Sequence, residues 1–246
     1  METVNKFGVN LFIDTPFKSL EIISRIGYRY VDYGSHFNFH TLPKGTLESI
    51  AEKTASLGLI PFSLHHPYCL HPSLDSESSE AKEREICEVV ETAGRLNVRY
   101  LTIHPGVVEG LDNDLDLLAK YLCETDAEEV DRLDIHFLSV CCEYAADFGI
   151  TIAIENLPFI VGNGRLSGRY CNTADDLLRL ISMMKAAGHL NIAACFDTGH
   201  ANLCGLDIPA SILKLRDNLC QLHLNDNRGE LKPNSEGDVH LVPGRG

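Results

Sequence analysis

Apolar residues gather along the chain in short runs, each followed by a polar loop and then a segment whose apolar positions recur every three to four residues. Seven runs, at residues 7–12, 28–33, 60–65, 99–104, 151–155, 191–197 and 220–225, are apolar and β-branched through their middles. That composition suits strands buried on both faces. The segments between them carry helical stripes: Leu47, Ile50, Ala51 and Thr54; Ile86, Val89, Val90 and Ala93; Val130, Leu133, Phe137, Cys141, Tyr144 and Phe148. Thr125-x-x-Glu128 and Thr173-x-x-Asp176 have the form of capping boxes. Gly27, Gly58, Gly149 and Gly188 each precede a strand, where a helix needs a left-handed end. The acidic stretch 110–126 reads as an elaborated loop.

Repeated strand–helix units over 246 residues predict an α/β fold, a TIM (β/α)8 barrel, with residues 1–246 forming a single domain. A doubly wound sheet is the competitor, weakened because no G-x-G-x-x-G follows the first strand. Seven strands are visible, so the eighth is expected beyond Gly246, in a chain truncated at its C-terminus.

The strand ends carry the chemistry. His65, His104, Glu155, Asp197 and His223 stand at or next to the ends of five runs, His200 follows Asp197 by three residues, and Asp238-x-His240 comes just after the last run. One such residue would be an ordinary hydrogen-bonded strand end. In a parallel barrel all these ends share one face, so eight imidazoles and carboxylates converge there. Gathered carboxylates repel one another, and a divalent cation is their natural partner. His66 should point to the opposite face and is read as structural; His36, His40 and His71 have no assigned place.

Composition narrows the partners. A net charge of −14 argues against a broad polyanion-binding surface, and Arg165, Arg169, Arg228, Lys232 and Arg245 form no basic stripe. Nine cysteines without C-x-x-C spacing suit reduced thiols. No apolar run approaches the ~20 residues of a membrane helix. The expectation is a cytoplasmic protein without a membrane partner; a homo-oligomer is compatible with it.

The stretches His65-His66-Pro67-Tyr68, His104-Pro105-Gly106, Glu155-Asn156, Asp197-Thr198-Gly199-His200, His223-Leu224-Asn225-Asp226 and Asp238-Val239-His240 run in one order from residue 60 to the end. In this the sequence resembles the xylose isomerase-like TIM barrels, which include sugar isomerases and epimerases as well as apurinic endonuclease IV. Endonuclease-like members imply a three-metal reading. In it His65 and His104 hold one metal, Glu155 bridges to a second held by Asp197, His223 and a strand-eight glutamate, and His200, Asp238 and His240 hold the third. Epimerase-like members imply one metal on Glu155, Asp197 and His223, with a strand-eight glutamate completing the ligands and the acid–base pair. The sequence departs from the pattern in two places: that glutamate is absent, and Pro243-Gly244-Arg245-Gly246 stands where relatives carry P-G-E-G.

The resemblance thus implies one to three divalent ions, zinc or manganese, and a small carbohydrate-type substrate. The leading expectation is a metal-dependent isomerase or epimerase of a sugar, sugar phosphate or related polyol ketone, with Glu155 catalytic and Arg165 and Arg245 as candidate anion contacts. A zinc phosphodiesterase acting on abasic DNA is the alternative, which the charge disfavours. A barrel that binds metal without catalysis is the third reading.

Overall fold

The computed structural model describes residues 7–11, 15–34, 42–43, 45–66, 79–108, 115–162, 165–167, 171–232 and 237–246. All seven expected strands form: β1 (Gly8–Leu11), β2 (Tyr30–Tyr33), β3 (Ile60–His65), β4 (Tyr100–Ile103), β5 (Thr151–Glu155) and, after a small antiparallel hairpin of β6 (Ile160–Gly162) and β7 (Arg165–Ser167), β8 (Ile192–Asp197) and β9 (Leu219–His223). They make one sheet in the order β1-β2-β3-β4-β5-β8-β9, and every pairing is parallel. This is the strand sequence of a curled TIM-type sheet. Among the described residues β1 and β9 are its two edges.

Helices α1 (Pro16–Arg25), α2 (Thr46–Ser56), α3 (Ser79–Arg95), α4 (Leu115–Glu124), α5 (Ala127–Asp147), α6 (Ala174–Ala186), α7 (Thr198–Leu203) and α8 (Ile208–Leu215) connect the strands. The sheet is dry where they cover it: Ile152 and Ile154 of β5 are buried with Ile86, Val89 and Val90 of α3, Phe137 and Cys141 of α5, and Leu177 and Leu180 of α6. Each fully buried aliphatic side chain contributes roughly 1.5–3 kcal/mol relative to exposure. Thr173 and Asp176 form the expected capping box at the start of α6. The helix-ending glycines are left-handed, as at Gly58 with φ 66°.

Three details differ from the sequence expectation. The acidic stretch contains α4, because Leu118 and Ala119 bury against Val108 while the acids ride the outer face. The cap of α5 is Asp126, whose carboxylate accepts from Glu128 N at 3.1 Å, one residue beyond Thr125. On α5 the buried stripe runs through Leu138, Cys142 and Ala145, leaving Tyr144 and Phe148 half exposed on its margin. Phe148 lies over Gly94, where an added Cβ would meet the ring.

The cysteines among the described residues are all free. None of the described helices is long and apolar enough to cross a membrane. His36, His40, His71 and Arg169 lie outside the described residues, and of Arg165 only the backbone, on β7, is described.

Candidate metal centre

Parallel register brings the strand ends to one rim. His65 pairs with Thr102, two residues before His104; Glu155 pairs with Cys195, two before Asp197; Asp197 pairs with His223. The rim turns into α7 without a loop, because Asp197 is the helix cap and its Oδ1 accepts from His200 N at 2.8 Å. That cap swings His200 back over the strand ends. It also brings Gly199 so close to β9 that a Cβ there would stand 1.8 Å from Asn225 Oδ1. Only glycine fits.

Glu155 is the hub, with 1% of its surface exposed. Its Oε2 faces His65 Nε2 at 2.9 Å and His104 Nε2 at 3.2 Å, and its Oε1 faces His223 Nδ1 at 2.8 Å. His200 Nδ1 stands 3.7 Å from Oε1. Asp197, fully buried, lies 3.9 Å from His223 Nδ1 through Oδ2. On the outer side His200 Nε2 faces Asp238 Oδ2 at 3.2 Å, and His240 Nε2 reaches Asp238 Oδ1 at 3.1 Å. The donor atoms fall into three groups, His65–Glu155–His223, Glu155–Asp197–His200 and His200–Asp238–His240, each with all its atoms within 4.8 Å of one another.

Two hydrogen bonds define what this arrangement asks for. His65 Nδ1 donates to the carbonyl of His66 at 3.0 Å, and His200 Nδ1 donates to the carbonyl of Asn156 at 2.8 Å. A backbone carbonyl can only accept, so in each neutral ring the lone pair is on Nε2. Both lone pairs then point at carboxylate oxygens. Two electron-rich atoms at 2.9 and 3.2 Å require a proton or a cation between them.

The charges respond accordingly. Burial acts to raise the Glu155 carboxyl, but His223, His104 and His65 together outweigh it and hold it well below the usual range. Burial pushes His104 down to about 4, with Glu155 offsetting only part of the effect. For His200 burial is opposed by Asp197, Asp238 and Glu155, which carry it up to about 9. His223 is raised against its burial, with Cys195 and Glu155 as causes. The Cys195 thiol is itself raised by burial and so is neutral, which leaves Glu155 as the charge holding the His223 proton. Asp238 is lowered despite burial by His200 and His240, and His240 is raised by Asp238.

All eight expected ligands therefore meet at one rim. Arg245 is exposed, and its backbone amide donates to Asp226. Several supporting residues went unassigned in the sequence. Asn156 exchanges two hydrogen bonds with the backbone of Asp197, at 2.7 and 3.1 Å. Asn225 Nδ2 donates to Asp197 Oδ2 at 2.6 Å. Inside the sheet, Gln221 Nε2 lies 2.9 Å from His223 Nε2 and donates to Ser63, which donates to Asp32; Thr102 donates to Gln221. Gln221 stands two residues before His223 on the same strand face, a spacing that could have signalled it.

Comparison with known proteins fits this picture. Residues 20–246 match the family described as xylose isomerase-like TIM barrel. An uncharacterized protein of Methanocaldococcus jannaschii, MJ1311, is 28% identical over 192 residues, covering 76% of this chain. The chain spans 54% of that relative's length. A crystal structure of a D-tagatose 3-epimerase-like protein superposes with TM-score 0.73 at 23% identity, covering 98% of this chain and 82% of that one. The crystal structure of IOLI protein with a binding zinc atom superposes with TM-score 0.63 at 18% identity, over 93% and 75%.

Proposed function

The chain belongs to the xylose isomerase-like TIM barrel family, and we propose from that premise that it is a divalent-metal-dependent isomerase or epimerase of a small sugar, sugar phosphate or related polyol ketone. One observation carries the metal: two imidazole Nε2 atoms aimed at carboxylates, His65 toward buried Glu155 and His200 toward half-buried Asp238, each pair needing a proton or a cation between its atoms. The donor set, imidazoles and carboxylates at a common rim, fits zinc or manganese. Glu155, Asp197 and His223 would hold one ion, with His65 and His104 facing the other oxygen of Glu155. His200, Asp238 and His240 would hold a further one. Bound there, the cation would polarise a substrate carbonyl and the neighbouring hydroxyl, making the adjacent C–H more acidic.

The protein's own groups do the rest. Glu155 is ionised, buried and ringed by imidazoles, so it accepts a proton from a substrate carbon without competition from bulk water. His104, neutral because burial holds its pKa near 4, donates one hydrogen bond to Glu155 and keeps the carboxylate oriented. Asn156 and Asn225 fix Asp197 from two sides, and Gln221 fixes His223. Arg165 and Arg245 are the candidate contacts for an anionic group on the substrate.

The test is solvent exchange. A panel of ketoses and an inosose in D2O, with zinc- or manganese-loaded protein, should show deuterium entering the carbon next to the carbonyl, and the Glu155→Gln variant should abolish it. No exchange with any member, from protein that holds its metal, would remove the isomerase reading. The third donor group favours a multi-metal phosphodiesterase as the second reading. Cleavage of an abasic-site duplex at low salt, without ketose exchange, would establish that one.

A further inference from the structure

Asp226 is not within the donor groups, yet the chain closes on it. Its backbone forms an antiparallel bridge with Leu241, donating at 2.8 Å and accepting at 2.7 Å. Its carboxylate accepts four backbone N–H groups: Oδ2 takes Gly244, Arg245 and Gly246 at 2.8, 3.2 and 3.1 Å, and Oδ1 takes Asn227 at 2.9 Å. Three successive amides can converge on one oxygen because Val242–Arg245 is a tight turn, with Arg245 N donating to Val242 O at 3.1 Å. Pro243 occupies its first central position and Gly244, at φ 87°, its second.

The segment so fastened carries Asp238 and His240. His240 has φ 43°, a left-handed backbone that a histidine holds only when its surroundings impose it. The residue that follows it is Leu241, the one bridged to Asp226. Apart from the His200–Asp238 contact and the local bond from Val239 N to Gly237 O, the hydrogen bonds that tie residues 238–246 to the rest of the described chain end on Asp226. A Cβ at Gly246 would also stand 2.5 Å from Asp226 Oδ1, so the turn is seated closely.

We infer that Asp226 is a positioning residue for the His200–Asp238–His240 donor group, clamping the turn at 242–246 so that Asp238 and His240 face His200. Its effect on metal rests on the proposed function; its effect on the segment does not. The carboxylate touches no donor atom, and it acts through the backbone it holds.

The experiment compares wild type, Asp226→Ala, Asp226→Asn and His200→Ala, with far-UV circular dichroism checking the fold of each. In metal-free protein, amide hydrogen exchange at Gly244, Arg245 and Gly246 should become at least ~10-fold faster in Asp226→Ala. It should rise less in Asp226→Asn, which keeps one acceptor oxygen, and stay unchanged in His200→Ala. With zinc alone as the probe, Asp226→Ala should bind the outer ion ~10–100-fold more weakly while keeping the ion at Glu155. Unchanged exchange in Asp226→Ala, or outer-site zinc affinity equal to wild type, overturns the role of Asp226. Wild-type protein that binds no zinc would instead overturn the metal reading, and the exchange result would still judge the clamp.

Discussion

Replacing Glu155 by glutamine separates a metal centre from a buried ion-pair network. One lone pair faces Oε2, on His65, beside the N–H of neutral His104, and one N–H faces Oε1, on His223. A glutamine amide matches that set once neutral His104 moves its proton to Nδ1: its NH2 can then donate to the two ring nitrogens while its oxygen accepts from His223. Metal-free Glu155→Gln should therefore unfold within about 1 kcal/mol of wild type, since neutral hydrogen bonds replace charged ones and the desolvation of a carboxylate is relieved. If Glu155 served only as the acceptor of structural imidazolium pairs, breaking them would instead cost roughly 3–5 kcal/mol. Metal binding should respond in the opposite sense. Loss of an anionic ligand should weaken zinc at least ~1,000-fold, about 4 kcal/mol. Zinc at a hundredfold excess over its dissociation constant should stabilise wild type by ~2.7 kcal/mol, which is a rise of about 5–10 °C in melting temperature. The variant should lose the part of that rise that the ion at Glu155 contributes. Urea denaturation in chelator, followed by thermal melts with added zinc, measures both. A variant that is several kcal/mol less stable in chelator, yet still gains the full zinc shift, would refute the reasoning.

The remaining predictions follow from neighbouring groups. His200, raised from 6.5 to about 9 in the folded protein, stabilises the metal-free form below about pH 6.5, and this roughly 3 kcal/mol contribution is lost as pH rises through 9. The stability–pH profile in chelator should show that falling limb, and His200→Ala should flatten it. Zinc must displace the His200 proton, so calorimetry at pH 7.5 in buffers of different ionisation enthalpy should report at least about one proton released per chain; none released would place zinc elsewhere. Gly199→Ala puts a methyl 1.8 Å from Asn225 Oδ1 and should break the 2.6 Å bond from Asn225 to Asp197. It should cost about 2 kcal/mol of stability and weaken zinc, read by the same melts.

The sequence carries the strands and the ligands better than it carries their supports. Each run of apolar residues became a strand because its short length, flanking turn residues and β-branching set it apart from a buried helix segment. The eight ligand-type residues were legible because a parallel sheet sends every strand end to one rim, whatever the loops do. The supports are harder to read because their work is done by common residue types at long range. Ser63 reaches Gln221 across 158 positions, and Asn225 reaches Asp197 across 28. Helix α4 was obscured by its acids, which reveal nothing about the face that Leu118 buries. Tyr144 illustrates a limit of periodicity: it shares a helical stripe with Phe137, yet the buried stripe of α5 is centred one residue further on.

The most direct test of a metal held by Glu155 is anomalous diffraction from zinc-loaded crystals, with data collected on both sides of the zinc absorption edge. A peak bounded by Glu155, Asp197 and His223, at about 2.0–2.2 Å from their donor atoms, is the predicted result. A map in which those side chains remain paired with one another, with no anomalous density between them, would contradict the account.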